Sequence, residues 1–190
     1  DIHKKAQLLF PDGVLISGTN LSAAKLTAQL LNNPDVTTLF EATFIIHGGI
    51  TRTDILRKTH SGLHLFEIKS GLDAKAEYMD DLAYTTMVAT QAGLPISKCS
   101  LLLVSRDYRY GMPIKALFQE VDCTEQILSR SRQFWQEYDQ IVKKVFSQKK
   151  LPPEYNYACK ACDYINKCFR NKRKRTNLGK HMRRIKLHND

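Results

Sequence analysis

Residues 51–70 read TRTDILRKTHSGLHLFEIKS, and this stretch carries the clearest information about the fold. Residues 52–58 and 63–70 are rich in side chains that favour extended chain, and the polar or small residues 59–62 separate them. A short turn between two such segments predicts an antiparallel β-hairpin. The remaining elements are expected to pack around this pair of strands.

The turn also predicts which residues of the hairpin face each other. A loop of even length centred on residues 60–61 places Asp54 opposite Glu67, and the same register places Arg52 opposite Lys69. Because side chains alternate between the two faces of a strand, all four side chains are expected on one face. Two carboxylates with Cβ atoms about 4.5–5.5 Å apart destabilise a sheet unless a cation lies between them. The register therefore predicts a metal site.

Two carboxylates beside one lysine suit a metal-dependent catalytic centre. Hard divalent ions such as Mg²⁺ or Mn²⁺ prefer the oxygen ligands that Asp54 and Glu67 supply. Lys69 adds a compact positive charge that can hold an attacking water or a phosphate oxygen. The alternative is a solvated strand face, but the neighbouring leucines and Phe66 favour a strand that is buried on both sides.

Three of the five cysteines lie within ten residues, in the segment YACKACDYINKCF. The spacing of Cys159, Cys162 and Cys168 allows their thiolates to converge on one soft metal centre. Buried thiols or a disulfide are the alternatives that this spacing leaves open. Cys99 and Cys123 belong to predicted strands or strand ends and are expected in the core. No fourth ligand is evident, and without one the centre could be absent or hold zinc.

Asp54, a hairpin and then Glu67-Ile68-Lys69 resemble the core of the PD-(D/E)XK nuclease superfamily, in its RecB-like branch. This branch includes CRISPR-associated adaptation nucleases with an iron–sulfur cluster, and the three-cysteine segment is similar to the one that closes those nucleases. The resemblance implies an α/β or α+β fold of restriction-endonuclease type, with a mixed central sheet flanked by helices. It further implies a metal-dependent DNA nuclease, either an exonuclease or one directed at single strands or ends.

The resemblance also implies roles for individual residues. Asp54, Glu67 and the Ile68 carbonyl would bind Mg²⁺ or Mn²⁺, and Lys69 would help to activate water. Glu41, just upstream in LFEATF, is a candidate further acidic ligand, with a surface salt bridge as the alternative.

Two further roles follow from the same resemblance. The helix after the hairpin commonly bears a Q-x-x-x-Y motif in this branch. Tyr84 and Val88 stand at the corresponding positions, which makes Tyr84 a candidate supporting residue, with packing as the alternative. Cys159, Cys162 and Cys168 would hold a [4Fe–4S] cluster or zinc if a fourth ligand is present. Related nucleases take that ligand from near the N-terminus, and a chain that opens at Asp1 without Met suggests a longer native protein with further domains.

The net charge of +10 is concentrated at one end of the chain. Residues 169–190 contain nine Lys or Arg and one acidic residue, a net charge of +8. Such a segment favours a polyanion partner, most simply DNA, and the alternatives are RNA, acidic proteins, membranes or a role as a linker. The candidate nucleic-acid contacts are Arg106 and Arg109, in a polar loop with aromatic residues, and Arg170, Lys172, Arg173, Lys174 and Arg175 in the tail. For the loop, the alternative is an ordinary solvated connection.

The composition indicates one ordinary folded domain. With 190 residues, 43% hydrophobic and 25% charged, we expect a nuclease-like domain over 1–169, its cysteine segment at 151–169, and a basic tail or linker over 170–190. The sequence has neither a signal peptide nor an apolar stretch of about 20 residues, so a cytoplasmic protein without a membrane partner is expected. The alternative functions are a non-catalytic nucleic-acid-binding module and a zinc-bound domain that binds proteins through the tail.

Periodicity and turn residues predict the other elements. In chain order they are a hairpin over 8–18, helices over 22–32, 73–92 and 124–150, and strands over 38–47, 99–105 and 116–121. The apolar stripe of the last helix, from Ile127 to Phe146, is expected to pack in the core.

Overall fold

The computed structural model describes residues 1–147, 152–153 and 155–169. The main elements are α1 (Ile2–Gln7), β1 (Val14–Leu15), α2 (Asn20–Leu31), β2 (Thr38–Ile46), β3 (Gly49–Thr59), β4 (Gly62–Lys69), α3 (Ala76–Gln91), β5 (Ile96–Val104), β6 (Phe118–Asp122), α4 (Thr124–Phe146) and α5 (Ile165–Phe169). The chain divides into two compact units, at residues 143 and 144 within α4. No helix of the described residues is both long and apolar enough to cross a membrane.

The six strands of the described residues form one mixed sheet in the order of the chain, β1 to β6. β1 pairs with β2, and β4 with β5, in parallel, whereas the other neighbours are antiparallel. The predicted mixed sheet flanked by helices is therefore confirmed.

The β3–β4 hairpin has the predicted register from its turn as far as Ile55 and Phe66, but the predicted pairs Asp54–Glu67 and Arg52–Lys69 do not form. Thr59 pairs with Gly62 across the turn, and the pairing continues to Ile55 opposite Phe66. The two residue numbers of every pair add up to the same total, and this is the total expected for a loop of even length centred on residues 60–61. This register brings the segment around Asp54 beside the segment around Glu67.

Each face of the sheet buries its own group of apolar side chains. On one face Leu65 of β4 and Leu101 of β5 pack with Leu82 and Met87 of α3. On the opposite face a smaller cluster contains Phe66 and further side chains, including Ala6 of α1. The predicted core cysteines, Cys99 and Cys123, are both buried.

The expected hairpin over residues 8–18 is wrong. The chain begins with helix α1, and the short strand β1 pairs with β2 in parallel rather than returning on itself. Leu9 and Phe10 pack against the smaller core cluster instead of alternating along a strand. Apolar runs this short do not distinguish a strand from other buried chain, and tertiary packing decides between them.

The apolar stripe of α4 is only partly buried. Ile127 and Tyr138 lie in the core, whereas Trp135 and Ile141 are 40% and 53% exposed. The prediction that the whole stripe packs in the core is therefore wrong for its outer residues. Helical spacing identifies an apolar arc, but the sheet covers only part of its width.

Candidate active site

The regular pairing of β3 with β4 ends one residue before Asp54 and Glu67 would meet. There Asp54 Oδ2 accepts a hydrogen bond of 2.7 Å from the backbone N–H of Ile68. This bond between a side chain and the backbone fixes the Asp54 carboxylate against the neighbouring strand. Side-chain alternation places Glu67 and Lys69 on the same face as Leu65, which is the face that α3 covers.

Lys69 forms ion pairs with two carboxylates. Its Nζ lies 3.0 Å from Glu67 Oε1 and 2.7 Å from Asp81 Oδ2 on α3. Burial opposes the charge of Lys69, but the hydrogen bonds to Asp81 and Glu67 together outweigh it and raise the pKa of Lys69. A protonated ammonium group is therefore held beside Glu67.

The carboxylates of Asp54 and Glu67 are shielded from water and close to each other. Their side chains are 16% and 13% exposed. Burial raises the pKa of Glu67, and the nearby charge of Asp54 raises it further. Burial also raises the pKa of Asp54, against the Ile68 hydrogen bond. The charged forms of both groups are disfavoured, and an additional cation would relieve this.

Glu41 lies on β2, the other neighbour of β3, at the position opposite Asp54. β2 pairs with β3 on both sides of this position, but the two residues themselves do not pair. Burial raises the pKa of Glu41, and Asp54 adds to the effect. Glu41, Asp54 and Glu67 thus form a row of acidic residues on three adjacent strands, which we call the carboxylate cluster.

The backbone is distorted at this row. Phe40 packs in the cluster that contains Ala6, whereas Ala42, two residues later, packs on the opposite face with Leu65. Residues two apart in a regular strand share a face, so the strand turns over at Glu41. Glu41 has φ 59°, in the left-handed region, and is the one non-glycine residue with a positive φ in the described part of the chain.

A second unfavourable group lies next to Asp54. Thr53 is fully buried, and its hydroxyl has no hydrogen-bond partner within the described residues. A left-handed backbone at a non-glycine residue costs about 1–3 kcal/mol, and a buried unsatisfied hydroxyl adds about 1–3 kcal/mol. Unfavourable interactions are therefore concentrated around the carboxylate cluster.

Two residues of the site have no role in the sequence prediction. His3, on the six-residue helix α1, places its Nε2 3.6 Å from Asp54 Oδ1. No local pattern could have identified His3, because the fold brings it to β3 from about 50 positions away. Asp81 could have been noticed, because it is an acid three residues before Tyr84 on the helix that follows the Glu-x-Lys strand.

Tyr84 lies on α3 and is 37% exposed. Its hydroxyl donates a hydrogen bond of 3.3 Å to the carbonyl of Ile50 at the start of β3. The residue therefore ties α3 to the strand that carries Asp54, and Asp81 rather than Tyr84 forms the helix's ion pair with Lys69.

The loop with the predicted nucleic-acid contacts follows β5. Arg106 Nη2 lies 2.5 Å from Asp73 Oδ2, in the loop that follows β4. Arg109 Nη1 donates to the carbonyls of Arg106 and Tyr108. The tail candidates Arg170, Lys172, Arg173, Lys174 and Arg175 lie outside the described residues.

The cysteine segment belongs to the second unit. Cys159 lies in a 3₁₀ helix, Tyr157–Ala161, and Cys168 in α5, with Cys162 between these elements. The thiol of Cys159 lies 3.7 Å from Asn156 Oδ1, and Cys168 is exposed. These positions keep the three thiols on neighbouring short elements.

The side chains of the carboxylate cluster and of the cysteine segment are chemically suitable metal ligands. Their present spacing, however, is not that of a metal site. Carboxylates and a backbone carbonyl suit Mg²⁺ or Mn²⁺, an imidazole suits softer transition metals, and thiolates suit iron or zinc. No group of three or more His, Cys, Asp or Glu side chains among the described residues is arranged to hold a metal ion. In the carboxylate cluster the Lys69 ammonium group is the cation that Glu67 contacts.

No protein-family model matches this chain, and no curated protein matches it. The structure defines a protein of the mixed α/β class. Its described residues form a mixed six-stranded sheet with flanking helices.

Proposed function

We propose that this protein is a Mg²⁺- or Mn²⁺-dependent nuclease that hydrolyses DNA phosphodiester bonds, either as an exonuclease or at single strands or ends. The observation that carries the proposal is the shielded pair Asp54 and Glu67, with Lys69 Nζ 3.0 Å from Glu67. The resemblance to RecB-like PD-(D/E)XK nucleases supports the same assignment, because it concerns these residues on this hairpin.

A divalent cation would resolve the unfavourable charges of the cluster. The raised pKa values of Asp54, Glu67 and Glu41 all reflect burial, and the charge of Asp54 adds to the effect at Glu67 and Glu41. Lys69 contributes one positive charge, which it shares with the exposed Asp81. The protein thus presents more buried negative than positive charge here, a balance that favours a bound metal over an isolated ion pair.

Each residue has a role that its position allows. Asp54, Glu67 and the Ile68 carbonyl would hold the metal, and His3 and Glu41, which both interact with Asp54, are candidate further donors. When bound, the ion would polarise the scissile phosphate and lower the pKa of a water molecule. The Ile68 N–H orients the Asp54 carboxylate.

Lys69 is suited to position the nucleophile. Its ammonium group is held between Glu67 and Asp81, so its direction is fixed before any substrate binds. A phosphate oxygen or a water molecule could take the place of Asp81, whose side chain is 58% exposed. If a phosphate oxygen or a water molecule replaced Asp81, Lys69 would remain charged and hydrogen-bonded.

The chain offers a matched control for Lys69. Lys98, on β5, also contacts two carboxylates, with its Nζ 2.8 Å from Glu120 Oε1 and 3.6 Å from Asp122 Oδ2. The experiment compares Lys69→Ala with Lys98→Ala on labelled single- and double-stranded DNA in the presence of Mn²⁺. We expect Lys69→Ala to reduce cleavage by about 100-fold or more, and Lys98→Ala to cleave like the wild type.

A different result would support the second candidate function, a non-catalytic nucleic-acid-binding module. That candidate is favoured by the absence of a ready three-residue metal arrangement in the described part of the chain. Retention of DNA without cleavage in Mn²⁺ or Mg²⁺, or cleavage that survives Lys69→Ala, would contradict the nuclease proposal.

We further propose that Cys159, Cys162 and Cys168 bind one metal centre, either an iron–sulfur cluster or zinc. Visible absorbance of anaerobically purified protein, together with iron and zinc analysis, distinguishes the two. The matched comparison is Cys162→Ser against Cys123→Ser, since Cys123 is buried beside the sheet. Equal metal content in both variants would contradict the assignment.

A further inference from the structure

The loops that follow β4 and β5 are joined at the edge of the sheet next to Lys69. β4 and β5 are parallel, and Lys69 pairs with Leu103 at their carboxyl ends. Beyond this pair, Val104 N–H donates to the Gly71 carbonyl. The Arg106–Asp73 ion pair links the two loops again. The loop after β5 is thus anchored beside the proposed catalytic lysine.

This loop, residues 105–113, is held by its own hydrogen bonds. Ser105 N–H donates to the Leu117 carbonyl and closes the base of the excursion. Near the tip, Met112 N–H donates to the Arg109 carbonyl and closes a four-residue turn. Gly111 has φ 92° at the third position of that turn, where a type II turn requires a positive φ. The loop therefore has a defined tip.

Tyr110 occupies the second position of this turn, at its outer corner. Its side chain is 104% exposed, the highest value among the large apolar and aromatic residues described. Burial of an aromatic ring is normally favourable, so a ring held entirely in water on a defined turn is available to a partner. Low conformational freedom in the loop reduces the entropy lost when that partner binds.

The residue before Tyr110 in the chain is a cation, Arg109. Both hydrogen bonds of Arg109 Nη1 go to neutral carbonyl oxygens, so these bonds leave its charge uncompensated. Arg106, in contrast, is neutralised by Asp73. The tip thus combines one flat aromatic face with one available positive charge, the pair of groups that holds a base and its phosphate.

We propose that the loop over residues 105–113 is a binding subsite for single-stranded nucleic acid, in which Tyr110 stacks on an unpaired base and Arg109 contacts a phosphate. The proposal rests on the proposed function, because it assigns a substrate form to the same site. Tyr110 is seven residues beyond Leu103, so it lies within about 25 Å of the strand end that carries Lys69. One bound strand can therefore reach both places.

The geometry favours a single strand over a duplex. A base offers its face to a side chain only when it is unstacked, whereas duplex interiors bury those faces. Phosphate contacts alone would not require an exposed ring. The subsite would therefore select single-stranded regions or frayed ends before cleavage.

The test measures binding without catalysis. Full-length protein in EDTA is titrated into fluorescein-labelled oligo(dT), the matching oligo(rU) and a duplex, each of about 20 nucleotides or base pairs. We expect Tyr110→Leu to weaken oligo(dT) binding by about 5- to 100-fold, the range for loss of one stacked base. Tyr110→Trp should bind within about 2-fold of the wild type. Leucine keeps an apolar side chain of moderate size, so the comparison isolates the aromatic face.

A second readout reports stacking directly. A single 2-aminopurine base, scanned along the oligonucleotide, should lose fluorescence at one position with wild-type protein and keep it with Tyr110→Leu. Arg109→Gln should reduce the slope of log K against log salt by about 0.7, the value for one phosphate on a single strand. Equal responses of oligo(dT) and oligo(rU) would assign the subsite to both nucleic acids.

The outcomes separate this inference from the nuclease proposal. If wild-type protein cleaves DNA in Mn²⁺ but Tyr110→Leu binds oligo(dT) normally, the loop is an ordinary solvated connection and the inference is wrong. If binding depends on Tyr110 but the wild type does not cleave, the subsite stands and the nuclease proposal falls. Preference for the duplex, or no binding of single strands, also overturns the inference.

Discussion

Strand β4 carries two polar sites three residues apart, and they differ in how their charges are compensated. Glu67 belongs to the carboxylate cluster on the α3 face. His64 is 6% exposed on the opposite face, where its ring packs against Phe66 and its Nε2 lies 2.8 Å from Ser100 Oγ. Ser100 Oγ in turn donates to Glu120 Oε1 at 2.9 Å. We call His64, Ser100, Glu120 and Lys98 the histidine network.

The two sites differ in whether hydrogen bonds outweigh the effect of burial on the carboxylates. Hydrogen bonds from Lys98 and Ser100 outweigh burial and hold the pKa of Glu120 below its ordinary value. In the carboxylate cluster the corresponding pKa values are raised. Burial contributes to this difference, because the Glu120 side chain is 41% exposed whereas those of Asp54 and Glu67 are 16% and 13% exposed. A sheet that satisfies one set of polar groups and leaves another strained is expected when the strained set binds something else.

The largest effect is expected from Asp54→Asn in the carboxylate cluster, which should change both DNA cleavage and stability. Asp54→Asn keeps an oxygen that can accept the Ile68 hydrogen bond but removes the charge. We expect cleavage in Mn²⁺ to fall by about 1000-fold, because a metal ligand is weakened. In EDTA the free energy of unfolding should rise by about 1 kcal/mol, because repulsion with Glu67 is removed. Cleavage assays and urea denaturation measure the two changes.

The matched control is Asp122→Asn in the neighbourhood of the histidine network. Asp122 accepts a hydrogen bond from Thr124 N–H at the start of α4 and faces Lys98. Loss of its charge should leave cleavage unchanged and lower stability by less than about 1 kcal/mol. A loss of stability in Asp54→Asn would show that the carboxylate cluster is a satisfied structural network like its counterpart.

The next largest effect is a loss of stability at acidic pH, caused by His64. The pKa of His64 is lowered from 6.5 to about 4, because burial and the charges of Lys98 and Arg57 together outweigh the opposing charges of Glu120 and Asp122. In the unfolded chain the imidazole takes up its proton near pH 6.5, so between pH 6.5 and 4 the unfolded state binds more protons than the native state. Stability should therefore fall as the pH is lowered through this window.

The expected loss from His64 by pH 4 is about 2 kcal/mol, less than the unscreened value because solvent reaches the side chains of Glu120 and Lys98. Urea denaturation at several pH values measures it. His64→Gln should flatten the dependence between pH 6.5 and 4.5, whereas His60→Gln, at the exposed turn of the hairpin, should leave it intact. An unchanged slope in His64→Gln would mean that other groups control the acid response.

The sequence predicts the hairpin and its register because the determinants are local. Asp54, Glu67 and Lys69 lie within 16 residues of chain, and an even turn fixes which residues face each other. The helices α2, α3 and α4 follow for the same reason, since each repeats its apolar spacing over several turns. Local rules therefore give most of the sheet and the centre of the candidate site.

The rest of the site depends on contacts between distant parts of the chain. His3 approaches Asp54 only because α1 packs on the smaller core cluster. The conformation of Glu41 follows from packing demands on opposite faces, which make Phe40 and Ala42 point in different directions. Asp81 reaches Lys69 through the docking of α3 on the sheet. Sequence spacing does not contain such information.

The smallest expected effect tests whether strain is part of the carboxylate cluster. Glu41→Ala and Glu41→Gly both remove the carboxylate, and they differ in the Cβ atom that disfavours φ 59°. Glycine at an ordinary strand position is less stable than alanine by about 0.5–1 kcal/mol. At residue 41 we expect the opposite sign, with Glu41→Gly more stable than Glu41→Ala by about 1 kcal/mol.

The reference for this comparison is Gln119, an exposed residue of the edge strand β6. There Gln119→Gly should be less stable than Gln119→Ala in the same urea titration. If both positions prefer alanine, the backbone at Glu41 is unstrained, and the row of carboxylates is held by ordinary strand geometry. If the sign reverses only at Glu41, the folded sheet holds this carboxylate in a conformation that its own backbone disfavours. Such a conformation persists only where surrounding packing imposes it, which is the arrangement expected where strands must bring acidic side chains together for a common ligand.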